Sequence, residues 1–243
     1  MVEIKNLNDL NIKLFADGAN YDDIISHNDN PIIKGFTTNP TLMKKAGIED
    51  YEDFSRKILA AIKNKPISLE VFADDIKEMF DQANVINSWG KNVYVKIPIM
   101  NTKEEKTLEI IKDLMNLDVK LNITAIMTLK QVEELCKIMN KTTPIIISVF
   151  AGRVADTGVD PVPHMRESKA MLSDFQNAEL LWASPRELLN LFHAESVNCD
   201  IITATSDILN KIKLLNKDLY QYSRETVEMF RTDAVSAGYK IKY

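Results

Sequence analysis

Short apolar runs alternate with longer amphipathic stretches along almost the whole chain, and this alternation limits the folds it can adopt. The apolar runs lie at 12–17, 35–39, 67–72, 93–98, 120–126, 144–150, 178–184 and 200–205. The amphipathic stretches lie at 21–27, 50–63, 75–89, 103–117, 129–140, 163–175, 185–196 and 206–214. Eight strand–helix units are typical of a closed parallel α/β barrel, the (β/α)8 or TIM barrel. An open, doubly wound sheet is the alternative, although it seldom uses eight such regular units.

The 243 residues suit one large barrel better than two small domains, so we expect a single domain over 1–243. One further helix is predicted over about 218–237, where Leu219, Tyr222, Val227 and Phe230 fall near one face. We expect this C-terminal helix to pack over the barrel or on a neighbouring subunit. A homo-oligomer is therefore expected.

Proline and serine mark one helix start in particular. Ser184-Pro185 resembles an N-cap followed by proline at the first helical position, so a helix is predicted to begin there.

Composition excludes several classes of function. A net charge of −5 and a pI near 5.4 argue against nucleic-acid binding, which needs a basic face. No apolar run approaches the length of a membrane span and the N-terminus has no signal core, so we expect a cytoplasmic protein without membrane contacts.

The residues that usually hold metals and cofactors are scattered. Cys136 and Cys199 are the only cysteines, and two separate thiols are a better interpretation than a disulfide. His27, His164 and His193 are far apart without ligand partners, so no metal site is expected. The seven glycines form no phosphate-binding loop. We expect no cofactor, and therefore chemistry carried by side chains.

The run at 92–100 is a strongly apolar strand with Lys96 near its end. A strand this apolar belongs in a parallel sheet covered on both faces. Because burial disfavours an ammonium ion, a lysine there can become the neutral amine that forms imines with carbonyl substrates. The alternative is a lysine whose stem packs while its amine reaches solvent.

Polar residues interrupt six consecutive strands near their carboxyl ends, the active-site face of such barrels. They are Asp17, Asn39, Glu70, Lys96, Asn122 with Thr124, and Ser148. If Lys96 points inward, strand alternation lets all of them point inward. The neighbours that would then face the helices are Leu14, Val71, Val95, Ile123 and Ile147. Packing alone explains this set poorly, because unpaired buried polar groups cost roughly 1–3 kcal/mol each.

These residue types support one kind of chemistry. Lys96 can attack a ketone and form a protonated Schiff base, which lets the adjacent C–C bond break. Glu70 can shuttle protons through a water held by Thr124, and Asp17 can take the proton of the sugar hydroxyl. Three residues can hold the hydroxyls of the three-carbon fragment: Asn39, Asn122 and Ser148.

Two arginines follow the sixth and seventh strands at the same mouth. A guanidinium at a helix N-terminus suits phosphate, which predicts that Arg153 and Arg186 bind a phosphate group. The alternative is that both form ordinary surface ion pairs.

Five segments resemble the transaldolase family, class I Schiff-base aldolases on a (β/α)8 barrel that include fructose-6-phosphate aldolases. They lie at 15–20, 35–42, 95–98, 121–124 and 148–153, and the resemblance runs from about residue 13 to 215. Thr-Thr-Asn-Pro-Thr-Leu at 37–42 together with Val-Lys-Ile-Pro at 95–98 is a specific combination.

The resemblance implies the same roles for these residues, with sugar phosphates as small-molecule substrates. Glu70 and Phe150 match the transaldolase branch, where the aldolase branch resembles a version with glutamine and tyrosine. Phe150 is accordingly expected to line the substrate site. Several wall residues depart from the pattern, so substrate identity is less determined than reaction type; they include Gly18, Leu121, Met127, Val149 and Pro185.

Three functions stay open on the sequence. The first is transfer of dihydroxyacetone between sugar phosphates such as sedoheptulose 7-phosphate and glyceraldehyde 3-phosphate. The second is a lyase of the same family that cleaves or forms a ketose phosphate. The third is a barrel that only binds a phosphosugar or serves as a scaffold.

Overall fold

The fold was analysed in a computed structural model, which describes Leu7 and residues 10–243. Eight parallel strands close into one barrel in the order in which they follow along the chain, which confirms the predicted (β/α)8 fold. The strands are β1 Lys13–Asp17, β2 Ile33–Thr37, β3 Ile67–Glu70, β4 Val93–Pro98, β5 Leu121–Ile126, β6 Ile145–Val149, β7 Ala178–Trp182 and β8 Ile201–Thr205. Because part of the N-terminus lies outside the described residues, a single domain over 1–243 stays a prediction.

Helices follow the strands on the outside of the barrel. They are α1 Tyr21–Asn28, α2 Pro40–Lys45, α3 Tyr51–Ala61, α4 Ile76–Ser88, α5 Leu108–Asn116, α6 Leu129–Cys136, α7 Ala151–Asp156, α8 Pro161–Met171, α9 Leu189–Ser196, α10 Ser206–Leu209 and α11 Leu219–Ser236. A 3-10 segment, Asn210–Leu214, continues α10. Within the described part of the chain, no helix has the length and apolar character needed to cross a bilayer.

Two apolar layers follow from the strand alternation. The outer layer packs between strands and helices and contains the residues predicted for it: Leu14, Val71, Val95, Ile123 and Ile147. The inner layer fills the barrel with Phe15, Ile146, Leu181, Ala183 and Ile201, and with the partly buried Tyr94 and Phe150. Gly35 is required here, because a Cβ on it would lie 2.5 Å from the Phe15 ring.

Several predicted boundaries were wrong, among them the second strand, which spans Ile33–Thr37 and not 35–39, so that Asn39 lies beyond its end. At three others, side chains satisfy the backbone locally. The third strand ends at Glu70 and not at residue 72, since the Gln82 side chain accepts the backbone N–H groups of Phe72 and Ala73. The fifth helix begins at Leu108 and not at residue 103, because Asn101 accepts the backbone N–H groups that precede it.

The last of these three boundaries concerns Ser184-Pro185, which does not cap a helix. Ser184 has φ of 57°, in the left-handed region, and α9 begins only at Leu189. The Asn190 side chain accepts the backbone N–H of Arg186 at 2.7 Å and holds the loop between them. Arg186 is therefore on a loop and not at a helix N-terminus.

Two short helices at the mouth were not predicted. The first, α2, is capped by Asn39, whose side chain accepts the N–H of Leu42 at 3.0 Å. The second, α7, begins directly after Phe150.

The C-terminal helix α11 occupies the predicted place but buries none of its residues against the barrel. Leu219, Val227 and Phe230 are exposed. The chain's own barrel, one of the two expected packing partners, therefore does not cover this helix.

Candidate active site

Strand register brings the polar residues to one level of the barrel. Glu70 lies opposite Lys96 on the neighbouring strand, and Lys96 lies opposite Asn122. On the other side, Asp17 lies opposite Thr37. Because these strands are parallel, their carboxyl ends form one mouth.

Lys96 is 6% exposed and points into this mouth. Its Nζ lies 2.9 Å from Glu70 Oε2 and donates to the Thr38 carbonyl at 3.1 Å. The Lys96–Glu70 contact is an ion pair whose angles do not make it a hydrogen bond, since Glu70 Oε2 has no hydrogen-bond partner. The two groups are thus close enough for proton transfer.

Asp17 is a second carboxyl group in the same mouth. Burial raises the pKa of Asp17, while the Lys96 charge and a hydrogen bond from Thr37 act in the lowering direction. The charge of Glu70 adds a smaller effect that raises the pKa further. A carboxyl group with a raised pKa is suited to exchanging protons with a substrate hydroxyl.

Asn122 and Ser148 form a buried hydrogen-bonded chain beside the lysine. The Ser148 hydroxyl donates to Asn122 Oδ1 at 2.6 Å, and Asn122 Nδ2 donates to the Ser68 hydroxyl at 2.9 Å. All three residues are buried. The chain fixes the amide orientation of Asn122.

Thr124 contrasts with that chain, because its buried hydroxyl has no hydrogen-bond partner. Such an oxygen inside a protein is usually satisfied by water or a ligand. The Thr124 hydroxyl is therefore suited to the predicted role of holding a water.

Asn39 and Phe150 lie at the rim. The side-chain oxygen of Asn39, Oδ1, caps α2, which leaves the side-chain NH₂ of Asn39 to donate elsewhere. Phe150 is half-buried, packs on the inner apolar layer and carries the Arg153 guanidinium 5.5 Å from its ring centroid.

Gly152 lies in α7, the helix that carries Arg153, and packs this helix against the loop that carries Arg186. Its N–H donates to the Ala183 carbonyl at 3.2 Å, and a Cβ on it would lie 1.5 Å from the Ser184 carbonyl oxygen. Only glycine fits there, so α7 and the loop after β7 meet directly.

Arg186 is already engaged at this junction. Its guanidinium forms a two-pronged ion pair with Asp156, one prong being Nε to Oδ1 at 2.9 Å. The pairing raises the pKa of Arg186 and lowers the pKa of Asp156. Arg153 is exposed beside it. A phosphate would have to share Arg186 with Asp156.

Sequence reasoning assigned no role to several groups at the mouth. Strand alternation places Thr37, Ser68 and Thr203 on the inward face of the barrel, but the residue types alone indicated no role for them. The Thr38 carbonyl and the Tyr51 hydroxyl, which donates to the Glu70 carbonyl at 2.9 Å, gave no sequence signal.

The fold and this site define a (β/α)8 barrel with a buried lysine–carboxylate pair at the carboxyl ends of its strands. The family described as transaldolase/fructose-6-phosphate aldolase matches residues 14–241. The chain therefore belongs to the transaldolase/fructose-6-phosphate aldolase family.

Relatives of similar length agree. A probable transaldolase of Methanococcus maripaludis is 31% identical over 202 residues, covering 83% of this chain and 89% of that protein. A probable transaldolase of Mesorhizobium japonicum is 29% identical over 231 residues, covering 95% of this chain and all of that protein.

Solved structures show the shared fold at low identity. Dihydrodipicolinate synthase from Rhodopseudomonas palustris superposes with a TM-score of 0.56 at 14% identity, covering 92% of this chain and 79% of that one. KGPDC from Streptococcus mutans superposes with a TM-score of 0.54 at 10% identity, covering 85% of this chain and 99% of that one.

Proposed function

We propose that this protein is a transaldolase that moves a dihydroxyacetone unit between sugar phosphates through a Schiff base on Lys96. The observation that supports it most is the buried Lys96 amine, 2.9 Å from Glu70 in the barrel mouth. An amine in a pocket with an adjacent carboxylate can lose its proton and attack a ketone.

The first half of the reaction uses three groups. Lys96 gives its proton to Glu70 and adds to the ketone carbon, forming a carbinolamine. Glu70 then returns a proton so that water leaves and a protonated imine forms. The unpartnered Thr124 hydroxyl holds the water that carries these protons.

Cleavage and transfer then follow from Asp17. Its carboxylate takes the proton of the hydroxyl on the far side of the breaking C–C bond, and the bonding electrons move into the imine. An aldose leaves, and the enamine that remains on Lys96 attacks the acceptor aldehyde while Asp17 returns the proton. Water then adds to the new imine, and its hydrolysis releases the ketose and the Lys96 amine. Hydrogen bonds from the three-carbon unit go to Asn39, Asn122 and Ser148.

The phosphate end is assigned to the arginines beside Phe150. Arg153 is exposed and its guanidinium is not paired with Asp156, whereas Arg186 is held in place by that carboxylate. In this proposal the Arg153 guanidinium supplies most of the positive charge that attracts the phosphate. The Arg186 guanidinium, held in place by Asp156, offers the phosphate a hydrogen-bond donor in a fixed position. Phe150 lines the passage between phosphate and imine.

Borohydride reduction tests the mechanism. With fructose 6-phosphate present, borohydride should attach the sugar covalently to Lys96, detected by peptide mass spectrometry. Lys96→Met should remain unlabelled, and Lys120 at the amino-terminal end of the barrel should stay unmodified in both proteins. A wild-type enzyme without label at Lys96 would leave only a sugar-binding or scaffolding barrel.

Transfer and cleavage are separated by the acceptor. A transferase should consume fructose 6-phosphate steadily only when erythrose 4-phosphate or another aldose phosphate is present. Rapid release of free dihydroxyacetone without an acceptor would assign the lyase activity instead.

We also propose that copies of this chain assemble through α11. Its apolar residues face solvent along most of an 18-residue helix, which a second copy would cover. Light scattering should give a multiple of the 27.6 kDa chain mass, and a monomer at micromolar concentration would exclude it. The free thiols of Cys136 and Cys199 fit the proposed cytoplasmic location.

A further inference from the structure

We propose that Thr203 is a positioning residue for Asp17, and that it acts through the hydroxyl of Thr37. The proposal rests on the transaldolase mechanism above and adds a residue to it. Thr203 lies on β8 opposite Phe15 of β1, two residue pairs below the pair formed by Asp17 and Thr205. It has not been assigned any role by the sequence motifs.

The contacts form a continuous chain. Thr37 Oγ1 lies 2.8 Å from Asp17 Oδ1 and 2.5 Å from Thr203 Oγ1. Both threonines are buried, with 4% and 5% of their surface exposed. Solvent is therefore a poor substitute for either hydroxyl.

Counting protons fixes the direction of this chain. A hydroxyl has one proton to donate. Thr37 gives its proton to Asp17 when that carboxyl group is ionised, so the short contact below it must be Thr203 donating to Thr37. Donation into Thr37 polarises its O–H bond and strengthens the bond to the carboxylate.

The consequence is orientation as well as charge. The hydrogen bond from Thr37 to Oδ1 restrains rotation of the Asp17 carboxyl group and leaves Oδ2 for the substrate hydroxyl. Without Thr203, Thr37 keeps a donor for Asp17 but can rotate away more easily. Asp17 would then lose part of its alignment with the substrate hydroxyl.

Other charged groups around Asp17 stay constant in this comparison. Lys96 and Glu70 face it from β4 and β3. Arg186 and Asp207 line the same cavity from the loops after β7 and β8. Any change caused at Thr203 is therefore read against an unchanged set of charges.

Thr203→Val tests the proposal, because it keeps the shape and removes the hydroxyl. We expect kcat for transfer to fall about three- to tenfold with little change in KM, and the acid limb of the kcat profile to move up by about half a pH unit. Borohydride labelling of Lys96 should persist, since imine formation does not use Asp17. Thr203→Ser should restore the acid limb.

Thr143→Val is the matched control. It also removes a buried threonine hydroxyl, which donates to the Met115 carbonyl at 2.9 Å, but before β6 at the amino-terminal end. It should lower stability without moving the acid limb. If Thr203→Val is too unstable to assay, Thr203→Ala gives the same comparison.

An acid limb and kcat equal to wild type in a folded, labelled Thr203 variant would overturn the positioning role and leave the proposed function intact. Absence of label in the wild-type enzyme would instead refute the proposed function.

Discussion

At the barrel mouth polar groups such as Lys96 and Asn122 are buried, whereas on α11 apolar side chains such as Val227 and Phe230 face solvent. Burying polar groups and exposing apolar ones both cost free energy. In the mouth much of the cost is offset by internal contacts, and the Thr124 hydroxyl is left for a ligand. On α11 nothing in the described chain offsets it. We infer that the mouth is built for a small molecule and α11 for another protein surface.

The largest expected effect is in the mouth. Glu70→Gln keeps the side-chain shape but removes the proton acceptor beside Lys96, so transfer should slow by roughly 10²–10⁴-fold. Steady-state kinetics measure it. Glu179→Gln is the control, because it removes the carboxylate of a more exposed lysine–glutamate pair, with Lys13, at the amino-terminal end of the barrel. Equal loss in both variants would contradict a special role for Glu70.

Gly152→Ala tests whether the mouth depends on the junction of α7 with the loop after β7. The added Cβ would meet the Ser184 carbonyl, so α7 and this loop must separate. Overpacking of this kind costs about 1–3 kcal/mol, which should lower the melting temperature by roughly 2–12 °C. Gly18→Ala is the control, since nothing lies within 4 Å of its Cβ position. An unchanged Gly152→Ala melting temperature would show that the junction can yield freely.

Asp17→Asn should lower the transfer activity and raise the free energy of unfolding. Burial raises the pKa of Asp17, so folding disfavours its charged form, and stability is lost as pH rises from the ordinary aspartate pKa through the raised one. The variant should gain roughly 1 kcal/mol at neutral pH and lose transfer activity.

The gain should shrink as pH falls through that window, because Asp17 is protonated in both states below it. Thermal unfolding across pH measures this. Asp207→Asn, exposed at the same mouth, should show no such gain. A wild-type enzyme more stable than Asp17→Asn at neutral pH would contradict the sign.

The smallest effect on the folded subunit is expected on α11. Phe230→Asp should change its unfolding free energy by no more than about 0.5 kcal/mol, because the residue is exposed. The assembled mass in light scattering should nevertheless fall. Thr232→Asp lies on the polar side of the same helix and should leave the mass unchanged. Equal masses for both variants would separate α11 from assembly.

The sequence predicted the barrel because its signal is repeated eight times and depends on local alternation, as with Lys96 and its outward neighbours Val95 and Ile123. The inward direction of the polar residues that lie on strands, such as Asp17 and Asn122, was predictable from the same alternation. Loop geometry was not, because it depends on contacts between distant segments. The left-handed Ser184, fitted against Gly152, and the Arg186–Asp156 pair both arise from such contacts.

The Phe15 ring, packed over Gly35 inside the barrel, limits how small molecules can enter and leave. This ring and its apolar neighbours fill the middle of the barrel, so among the described residues the mouth is the route by which a ligand can reach Lys96. If the protein is a transferase, both aldoses pass through the mouth. The departing aldose then has to leave before the acceptor aldose can bind. Ping-pong kinetics would then follow from the filled interior of the barrel, whichever two sugars react.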